Sequence, residues 1–336
     1  MNILAFESSC DETAAAVVTD GRTVRASVIA SSAEMHALYG GVVPEIASRK
    51  HVETIAGLAD EALRQANLPR SAIDAVAVTY GPGLIGAVLV GVNFAKSVAF
   101  ALDVPLIPVH HVRGHIAANY IAHPDLEPPF VCLCVSGGTT LIVDVKDYTQ
   151  MEILGGTRDD AAGECFDKTA RVLGLGYPGG GPLDRLAQGG DDAAYRFPRA
   201  RVDDNPLDMS FSGLKTAVLN TIHHAEQKGE VLDLPGLAAS FSAAVSESLI
   251  PRLMEASRRC GYHKVTVAGG VAANSRIRAD LERACQEQGD RLWLPPLSLC
   301  GDNAAMIGCQ GYYEYRAGHN ADMALNAYAV RDIRRG

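Results

Sequence analysis

Two histidines separated by three residues offer the clearest chemistry in this sequence. His111 and His115 stand in a segment predicted to be helical, where a spacing of four places both rings on one face. Two imidazoles so placed can bind one metal ion. Val112 follows the first histidine, where the zinc-protease pattern requires a glutamate as general base. The spacing indicates a metal site without that hydrolytic chemistry. The alternative is one surface histidine and one hydrogen-bonded core histidine.

Two carboxylates are candidates to join the histidines. Asp302 opens the last long predicted helix, where its local role is that of an N-cap. Its functional role would be the oxygen ligand that completes a site of two histidines and one carboxylate. Glu12 lies in a polar turn near the start of the chain and is either a catalytic carboxylate or a solvated turn residue.

Four glycine-rich turns follow or join predicted strands and could approach a phosphate, because glycine has no Cβ to keep backbone N–H groups away. They are Gly81-Pro-Gly83, Ser136-Gly-Gly138, Gly179-Gly-Gly181 and Gly269-Gly270. The last is followed by Asn274, a good N-cap for the next helix, and a helix N-terminus beside such a turn can hold an anion. Each turn alone could also be an ordinary connection between a strand and a helix. Four of them, spread over both halves of the chain, favour a nucleotide cleft.

Polar side chains accompany these turns. Asp167 and Asp184 could accept hydrogen bonds from ribose hydroxyls. Asp159 can cap the predicted helix that carries Asp167. Lys215 could meet a phosphate, although a solvated lysine is its default role.

The composition is that of an ordinary globular protein with an acidic balance. The 336 residues carry a net charge of −9, which argues against tight, nonspecific binding of nucleic acid. Local basic clusters could still bind nucleic acid or could be solvated; they are Arg196, Arg199 and Arg201, Arg276 and Arg278, and Arg331, Arg334 and Arg335. The eight cysteines include no CxxC pair and suit a reducing cytosol. No signal peptide is predicted, and the apolar run 84–102 is interpreted as a buried helix, so a cytoplasmic location is expected.

The order of predicted elements indicates a duplicated α/β unit. Strands at 2–7 and 14–19 form a hairpin around a small polar turn, and strands at 130–135 and 141–145 repeat that pattern in mid-chain. Two halves that begin alike suggest two lobes with a central cleft. The rival is one doubly wound sheet of a dinucleotide enzyme, which the lack of a GxGxxG motif after the first strand weakens.

The chain resembles the TsaD/YgjD family along its whole length. The matching motifs are Glu7-Ser-Ser-Cys-Asp-Glu-Thr13, Gly40-Gly-Val-Val-Pro-Glu45, Gly81-Pro-Gly83, His110-His-Val-Arg-Gly-His115, Val135-Ser-Gly-Gly138, Asp159-Asp-Ala-Ala-Gly-Glu164, Phe166-Asp-Lys-Thr169, Tyr177-Pro-Gly-Gly180, Phe211-Ser-Gly-Leu-Lys-Thr216, Ala268-Gly-Gly-Val271 and Asp302-Asn303. Members are tRNA N6-adenosine threonylcarbamoyltransferases of the actin-like ATPase superfamily, formerly described as O-sialoglycoprotein endopeptidases.

The resemblance implies a duplicated actin-like fold (ASKHA, ribonuclease H-like) with two lobes and a central cleft. The first lobe is expected over 1–125, and a final helix over about 302–330 packs back on it. The second is expected over 126–301 with an insertion around 189–235.

The resemblance also assigns site residues. His111, His115 and Asp302 match the metal ligands of the family, for which iron is favoured and zinc fits. Glu12 matches a carboxylate important for activity, so Glu12, His111 and His115 are the expected catalytic residues. The positions that match the nucleotide site are Val135, Ser136, Gly137, Gly138, Thr139, Asp167, Gly180, Asp184 and Asn274. Thr139 replaces the usual histidine of the family, and an extra glycine leaves Gly180 and Gly181 both open as the contact.

The activity implied is transfer of a threonylcarbamoyl group from threonylcarbamoyl-adenylate to the N6 amine of the adenosine 3′ of the tRNA anticodon, in tRNAs reading codons that start with A. AMP is released. The implied partners are tRNA, a TsaB-like paralogous subunit, a TsaE-like ATPase and a synthase that makes the adenylate; no membrane is implied. The alternatives are a metalloprotease, the older description of the family, and a small-molecule kinase on the same actin-like scaffold.

Overall fold

The computed structural model describes residues 1–199, 202 and 204–335, and its chain divides into two compact units. The first unit contains Met1–Pro128, Lys146–Glu152 and the chain from Pro295 onward. The second contains Pro129–Val145 and Ile153–Leu294, so it is inserted within the sequence of the first.

Each unit combines strands and helices. The strands are β1 (Asn2–Glu7), β2 (Glu12–Thr19), β3 (Thr23–Ser31), β4 (Ala75–Gly81), β5 (Leu106–His110), β6 (Phe130–Val135), β7 (Thr140–Val145), β8 (Met151–Gly156), β9 (Lys264–Ala268) and β10 (Arg291–Trp293). The helices are α1 (Ala33–Ala37), α2 (Pro44–Ala66), α3 (Ile85–Leu102), α4 (His111–Ala122), α5 (Ala162–Val172), α6 (Gly180–Ala187), α7 (Ser212–Lys228), α8 (Leu234–Cys260), α9 (Ser275–Gln288) and α10 (Ala304–Arg316).

The two sheets have the same topology. The first has the order β3-β2-β1-β4-β5, and the second the order β8-β7-β6-β9-β10. In each, the first strand pairs antiparallel with the second and parallel with the fourth, and the fourth pairs parallel with the fifth. This repeated order confirms the duplicated α/β unit and excludes one continuous doubly wound sheet.

The first sheet is covered on both faces, which explains why β1 is apolar at consecutive positions. Leu4 and Phe6 face the core formed with α2 and α3. Ile3 and Ala5 face the opposite core, to which α10 contributes. Alternate side chains of a strand point to opposite faces, so a strand buried on both sides reads as a continuous apolar run.

Helix α3 combines exposed and buried faces. Among the described residues it is the one helix long and apolar enough to cross a membrane by length and composition alone. A stripe of its small and β-branched side chains packs into the core of the first unit, at Ala87, Val88, Gly91, Val92, Ala95 and Ala99. Phe100 is 76% exposed. The prediction of a buried helix is therefore correct for one face of α3.

The structure refines several of the sequence-based boundaries. The final helix predicted over 302–330 ends at Arg316, because Gly318 turns the chain with a φ of +82°. Residues 146–152 were predicted to belong to the second lobe, but they belong to the first unit. There the ring of Tyr148 stacks on that of Tyr313 with the centroids 4.0 Å apart. The insertion predicted around 189–235 contains the whole of α7.

Candidate functional site

The two histidines lie on α4, which starts directly after β5. His110 caps this helix through its side chain, which accepts a hydrogen bond from the N–H of Val112. One turn apart, the rings of His111 and His115 meet edge to face with their centroids 4.6 Å apart. Val112 is buried and apolar, so this helix carries no carboxylate in the position that a zinc protease uses.

Asp302 completes a cluster with these histidines within the first unit. Its Oδ1 lies 3.1 Å from Nε2 of His115 and 3.6 Å from Nε2 of His111. The three potential ligand atoms lie within 4.8 Å of one another. The local role of N-cap predicted for Asp302 is wrong, because Asn303 caps α10 by accepting from the N–H of Met306. Asp302 is thereby left to face the imidazoles.

The state of His115 tests whether a metal ion fits this cluster. Its side chain is 3% exposed, and neither ring nitrogen has a well-formed hydrogen bond to any of the described residues, although Nε2 lies 3.1 Å from Oδ1 of Asp302. Buried polar atoms without partners are costly and rare. A cation between the two Nε2 atoms and the carboxylate would satisfy this nitrogen, and two imidazoles with one carboxylate are a known ligand set for iron and zinc. The residues therefore fit a divalent transition-metal ion.

The charges around the cluster are tightly coupled. Burial lowers the pKa of His111, but the carboxylates of Glu7 and Asp302 outweigh it and raise that pKa to about 9. Burial would raise the pKa of Asp302, but His111 and His115 lower it to about 2. The site thus favours positive charge between the buried carboxylate of Glu7 and the partly exposed carboxylate of Asp302.

Glu12 begins β2, and its Oε1 accepts a hydrogen bond from Ser31 over 3.1 Å. Burial and then the nearby charges of Asp11 and Asp302 raise the pKa of Glu12 to about 9. A carboxyl group with a raised pKa can take part in proton transfer near neutral pH. The structure places Glu12 in an acidic environment rather than in a solvated turn.

A separate cavity of about 270 Å³ lies within the second unit. Its walls come from the turn after β6, from α5, from the start of α6 and from the segment before α9. The lining residues are Gly137, Gly163, Phe166, Asp167, Pro178, Gly180, Gly181, Asp184, Gly270, Val271, Ala273 and Asn274. Its size and its glycine-rich wall suit an adenine nucleotide.

Predicted nucleotide positions converge on this cavity from four segments. Gly137, Asp167, Gly180, Asp184 and Asn274 all line it, and so does Gly181. Val135, Ser136, Gly138 and Thr139 belong to the adjacent strand and turn without lining it. The carbonyl of Thr139 accepts from the N–H of Ser136 and closes that turn.

Asp167 and Asp184 also hold the wall together. Asp167 accepts from the N–H of Gly179 over 2.8 Å, which fixes the glycine turn before α6. Asp184 accepts from the hydroxyl of Ser275 over 2.8 Å, at the start of α9. Asn274 caps α9 through the N–H of Ile277, as predicted.

Lys215 and Asp159, both in the second unit, do not have the roles predicted for them. Lys215 donates to Asp160 over 2.8 Å, so it is neither simply solvated nor directed at the cavity. Asp159 does not cap α5; its Oδ1 accepts from the N–H of Phe211 over 2.8 Å, next to the first turn of α7. These contacts join α5 and α7.

Several of the basic clusters are already paired with acids. Arg276 binds Asp192 and Asp280, and Arg199 pairs with Glu247. Arg334 pairs with Asp332. Arg201 lies outside the described residues. None of these contacts tests binding of tRNA.

Sequence analysis assigned no role to three residues that the structure places beside the cluster of His111, His115 and Asp302. Glu7 lies 3.0 Å from Nδ1 of His111, Ser9 Oγ lies 3.2 Å from the same atom, and Thr79 donates to Glu7. A signal was present, since a carboxylate at the end of an apolar strand is expensive to bury without partners.

Solved structures place the fold in the actin-like class. The chain matches HypF from T. kodakarensis with a TM-score of 0.65 and 16% identity, over 95% of this chain and 48% of HypF. It matches component A of (R)-2-hydroxyglutaryl-CoA dehydratase from Acidaminococcus fermentans with a TM-score of 0.54 and 16% identity, over 94% of this chain and 98% of that one. The duplicated α/β units thus have the actin-like fold, as predicted.

Sequence relatives define the family. The family model for tRNA N6-adenosine threonylcarbamoyltransferase (TsaD) matches residues 23–309. A protein of that name from Moorella thermoacetica is 56% identical over 326 residues, covering 97% of this chain and 95% of the relative. Another, from Clostridium botulinum strain 657, is 53% identical over 327 residues, covering 97% and 96%. The chain belongs to the tRNA N6-adenosine threonylcarbamoyltransferase family.

Proposed function

We propose that this protein transfers the threonylcarbamoyl group of threonylcarbamoyl-adenylate to the N6 amine of the adenosine 3′ of the anticodon, in tRNAs reading codons that start with A. The observation that carries this proposal is the match to the transferase family at 52–56% identity over 97% of the chain. The cavity of the second unit supports it, because a glycine-lined space can hold the AMP part that leaves.

The reaction sets a clear chemical problem. The N6 amine is a weak nucleophile because its lone pair is delocalised into the purine ring. As the new C–N bond forms, the amine loses a proton and the bond from the carbamoyl carbon to the AMP phosphate oxygen breaks. The enzyme must position the two reactants and accept that proton. We assign the proton to the ionised carboxylate of Glu12, which is a stronger base than an ordinary glutamate because its pKa is raised. A metal ion held by Asp302 would offset part of the negative charge that raises this pKa and would favour the ionised form.

We further propose that His111, His115 and Asp302 hold one divalent ion, with iron favoured and zinc an alternative. Nitrogen ligands make magnesium a poorer candidate. When bound, the ion would supply Lewis-acid polarisation and a template for the threonylcarbamoyl group. The support is the unsatisfied Nε2 of His115 beside Asp302.

Partners follow from the same family membership and are part of the proposal. Helices α2 and α3 expose large apolar side chains, with Val52 64%, Ile85 52% and Phe100 76% exposed. Exposed apolar surface of this kind is typical of an interaction site. We propose that it receives a TsaB-like paralogous subunit, that a TsaE-like ATPase joins the complex, and that the enzyme acts in the cytoplasm, where its tRNA substrate is found.

The test is reconstitution of the reaction. The purified protein is incubated with unmodified tRNA, threonine, bicarbonate, ATP, a threonylcarbamoyl-adenylate synthase and the two partners, and the digested tRNA is analysed by mass spectrometry. We expect threonylcarbamoyladenosine that disappears when this chain is omitted. Phosphorylation of a small molecule or cleavage of a glycoprotein, without the modified nucleoside, would instead support the kinase or protease alternative.

A further inference from the structure

Glu7 lies behind one of the two histidines of the metal cluster and is fully buried. Its Oε2 is 3.0 Å from Nδ1 of His111 and accepts from the hydroxyl of Thr79 over 2.5 Å. Its Oε1 accepts from the N–H of Ser9 over 2.5 Å. The carboxylate therefore has partners on both oxygens, all within the first unit.

The sheet topology explains why these residues meet. Strands β1, β4 and β5 are parallel neighbours, and the carboxyl ends of parallel strands lie at the same edge of a sheet. Glu7 ends β1, Thr79 lies near the end of β4, and His111 follows β5 directly.

We propose that Glu7 is a positioning residue, which keeps the proton of His111 on Nδ1 so that Nε2 retains its lone pair for the metal ion. This inference rests on the metal site of the proposed function and adds a residue to it. Glu7 is not a ligand, because His111 stands between it and the cluster with Asp302.

The argument depends on which partners can donate. A metal-bound imidazole is neutral, with one N–H and with the other nitrogen bound to the metal through its lone pair, and an ionised carboxylate can only accept. If Nδ1 of His111 lacked its proton, its lone pair would face Glu7 Oε2 at 3.0 Å. Ser9 Oγ, at 3.2 Å, could donate to Nδ1 and support that wrong tautomer. The carboxylate of Glu7 disfavours that tautomer, because its oxygen would face the lone pair of Nδ1.

The surroundings of Glu7 also show why a glutamine cannot replace it. Ser9 N–H, Thr79 O–H and His111 Nδ1–H all donate towards this side chain. The NH₂ group of a glutamine would face the N–H of Ser9 in one orientation, and Thr79 and His111 in the other. In the second orientation it would donate to Nδ1 of His111 and move the proton to Nε2, where it blocks metal binding.

His115 offers an internal contrast. Its Nδ1 is buried and has no hydrogen-bond partner among the described residues. The cluster therefore contains one imidazole whose Nδ1 meets a carboxylate and one whose Nδ1 has no such partner among the described residues. Outer partners of metal-bound histidines fix ring orientation and tautomer, and losing one costs about 10–100-fold in metal affinity.

The experiment measures Zn²⁺ binding to the metal-free full-length chain by competition with a chromophoric chelator. Glu7→Gln is expected to weaken binding about 10–100-fold. In the Zn²⁺-loaded wild-type protein, ¹⁵N–¹H correlation spectra of the histidine side chains should show a protonated Nδ1 on His111. Glu7→Asp, which keeps the charge but shortens the side chain, should recover part of the affinity.

Asp290→Asn is the matched control, because Asp290 is a buried carboxylate 2.9 Å from Nδ1 of His263 in the second unit. It should leave Zn²⁺ affinity unchanged. A Glu7→Gln protein that melts at a lower temperature but binds Zn²⁺ as tightly as wild type would show a structural role alone and overturn the proposal.

Two outcomes separate this proposal from the metal site itself. A wild-type chain that binds no Zn²⁺ would overturn the metal assignment, and with it the role of Glu7, while leaving the transfer reaction to its own test. If Glu7→Gln does not fold, Thr79→Val removes one donor to Glu7 and should weaken Zn²⁺ binding about fivefold. Unchanged binding in that variant would count against Glu7.

Discussion

His110 and Arg331 fix the start of α4 through one hydrogen bond, in which Nε2 of His110 donates to the Arg331 carbonyl over 3.1 Å. The other ring nitrogen, Nδ1, accepts from the N–H of Val112 over 3.2 Å. Both contacts require a neutral ring, because Nδ1 must keep its lone pair. Burial is the main reason that the pKa of His110 falls to about 4, and the charge of Arg113 adds to it.

This pKa predicts a loss of stability in mild acid. The folded protein resists protonation of His110 until about pH 4, whereas the unfolded chain takes up the proton near pH 6.5. Stability from this residue is therefore complete above pH 6.5 and is lost as the pH falls towards 4. The loss is at most about 3 kcal/mol. Urea unfolding of wild type and His110→Asn should differ in pH dependence by that amount.

An exposed histidine provides the control for this measurement. His224→Asn on α7 should leave the pH dependence of the unfolding free energy as it is in wild type. Parallel curves for wild type and His110→Asn between pH 4 and 7 would contradict the assignment.

Removal of a ligand is expected to empty the metal cluster. His115→Ala should lower the metal content of the purified protein from about one ion to near zero, and threonylcarbamoyl transfer on the order of 100-fold or more. Elemental analysis and the reconstituted tRNA reaction measure the two effects. His224→Ala is the control, and full activity of His115→Ala without metal would exclude the proposed role.

The cavity of the second unit tolerates no side chain at Gly163. A Cβ there would lie 2.3 Å from the carbonyl oxygen of Ser136, so Gly163→Ala must displace the turn after β6. We expect AMP binding, measured by calorimetry, to weaken about tenfold or more because close contacts with the displaced turn are lost. Gly213→Ala on α7, where a Cβ meets nothing within 4 Å, should bind AMP like wild type.

Arg113 lies between the two histidines in sequence and forms a buried ion pair. Its Nη1 donates to Glu314 over 2.8 Å, and its Nε donates to the carbonyl of Ile333 over 2.8 Å. Arg113→Met would leave a buried carboxylate without this partner and should destabilise the protein by about 3–5 kcal/mol. Thermal melting should show Arg113→Met/Glu314→Leu to be more stable than the single variant. Equal melting temperatures for Arg113→Met and wild type would contradict this.

The sequence predicted the elements of the site better than its contacts. The two hairpins, α3 and the Asn274 cap follow from local patterns, which act over a few residues. The choice between Asp302 and Asn303 as N-cap did not follow, because both residue types favour that position and only the distant imidazoles decide which one turns inward.

The role of Glu7 needed the fold as well. It depends on the pairing of β1 with β4 and of β4 with β5, which brings together residues more than 70 positions apart. The same holds for Asp159, whose partner near α7 lies 52 residues away. Sequence motifs marked these stretches without showing what each side chain touches.

The insertion of the second unit within the first has a consequence for synthesis on the ribosome. His111 and His115 emerge early, but Asp302 emerges only after the whole of Pro129–Leu294 has been made. The second unit can fold before α10, which covers the sheet of the first unit, has been synthesised. The complete set of proposed metal ligands is therefore present only late in synthesis, after the segments that line the cavity of the second unit.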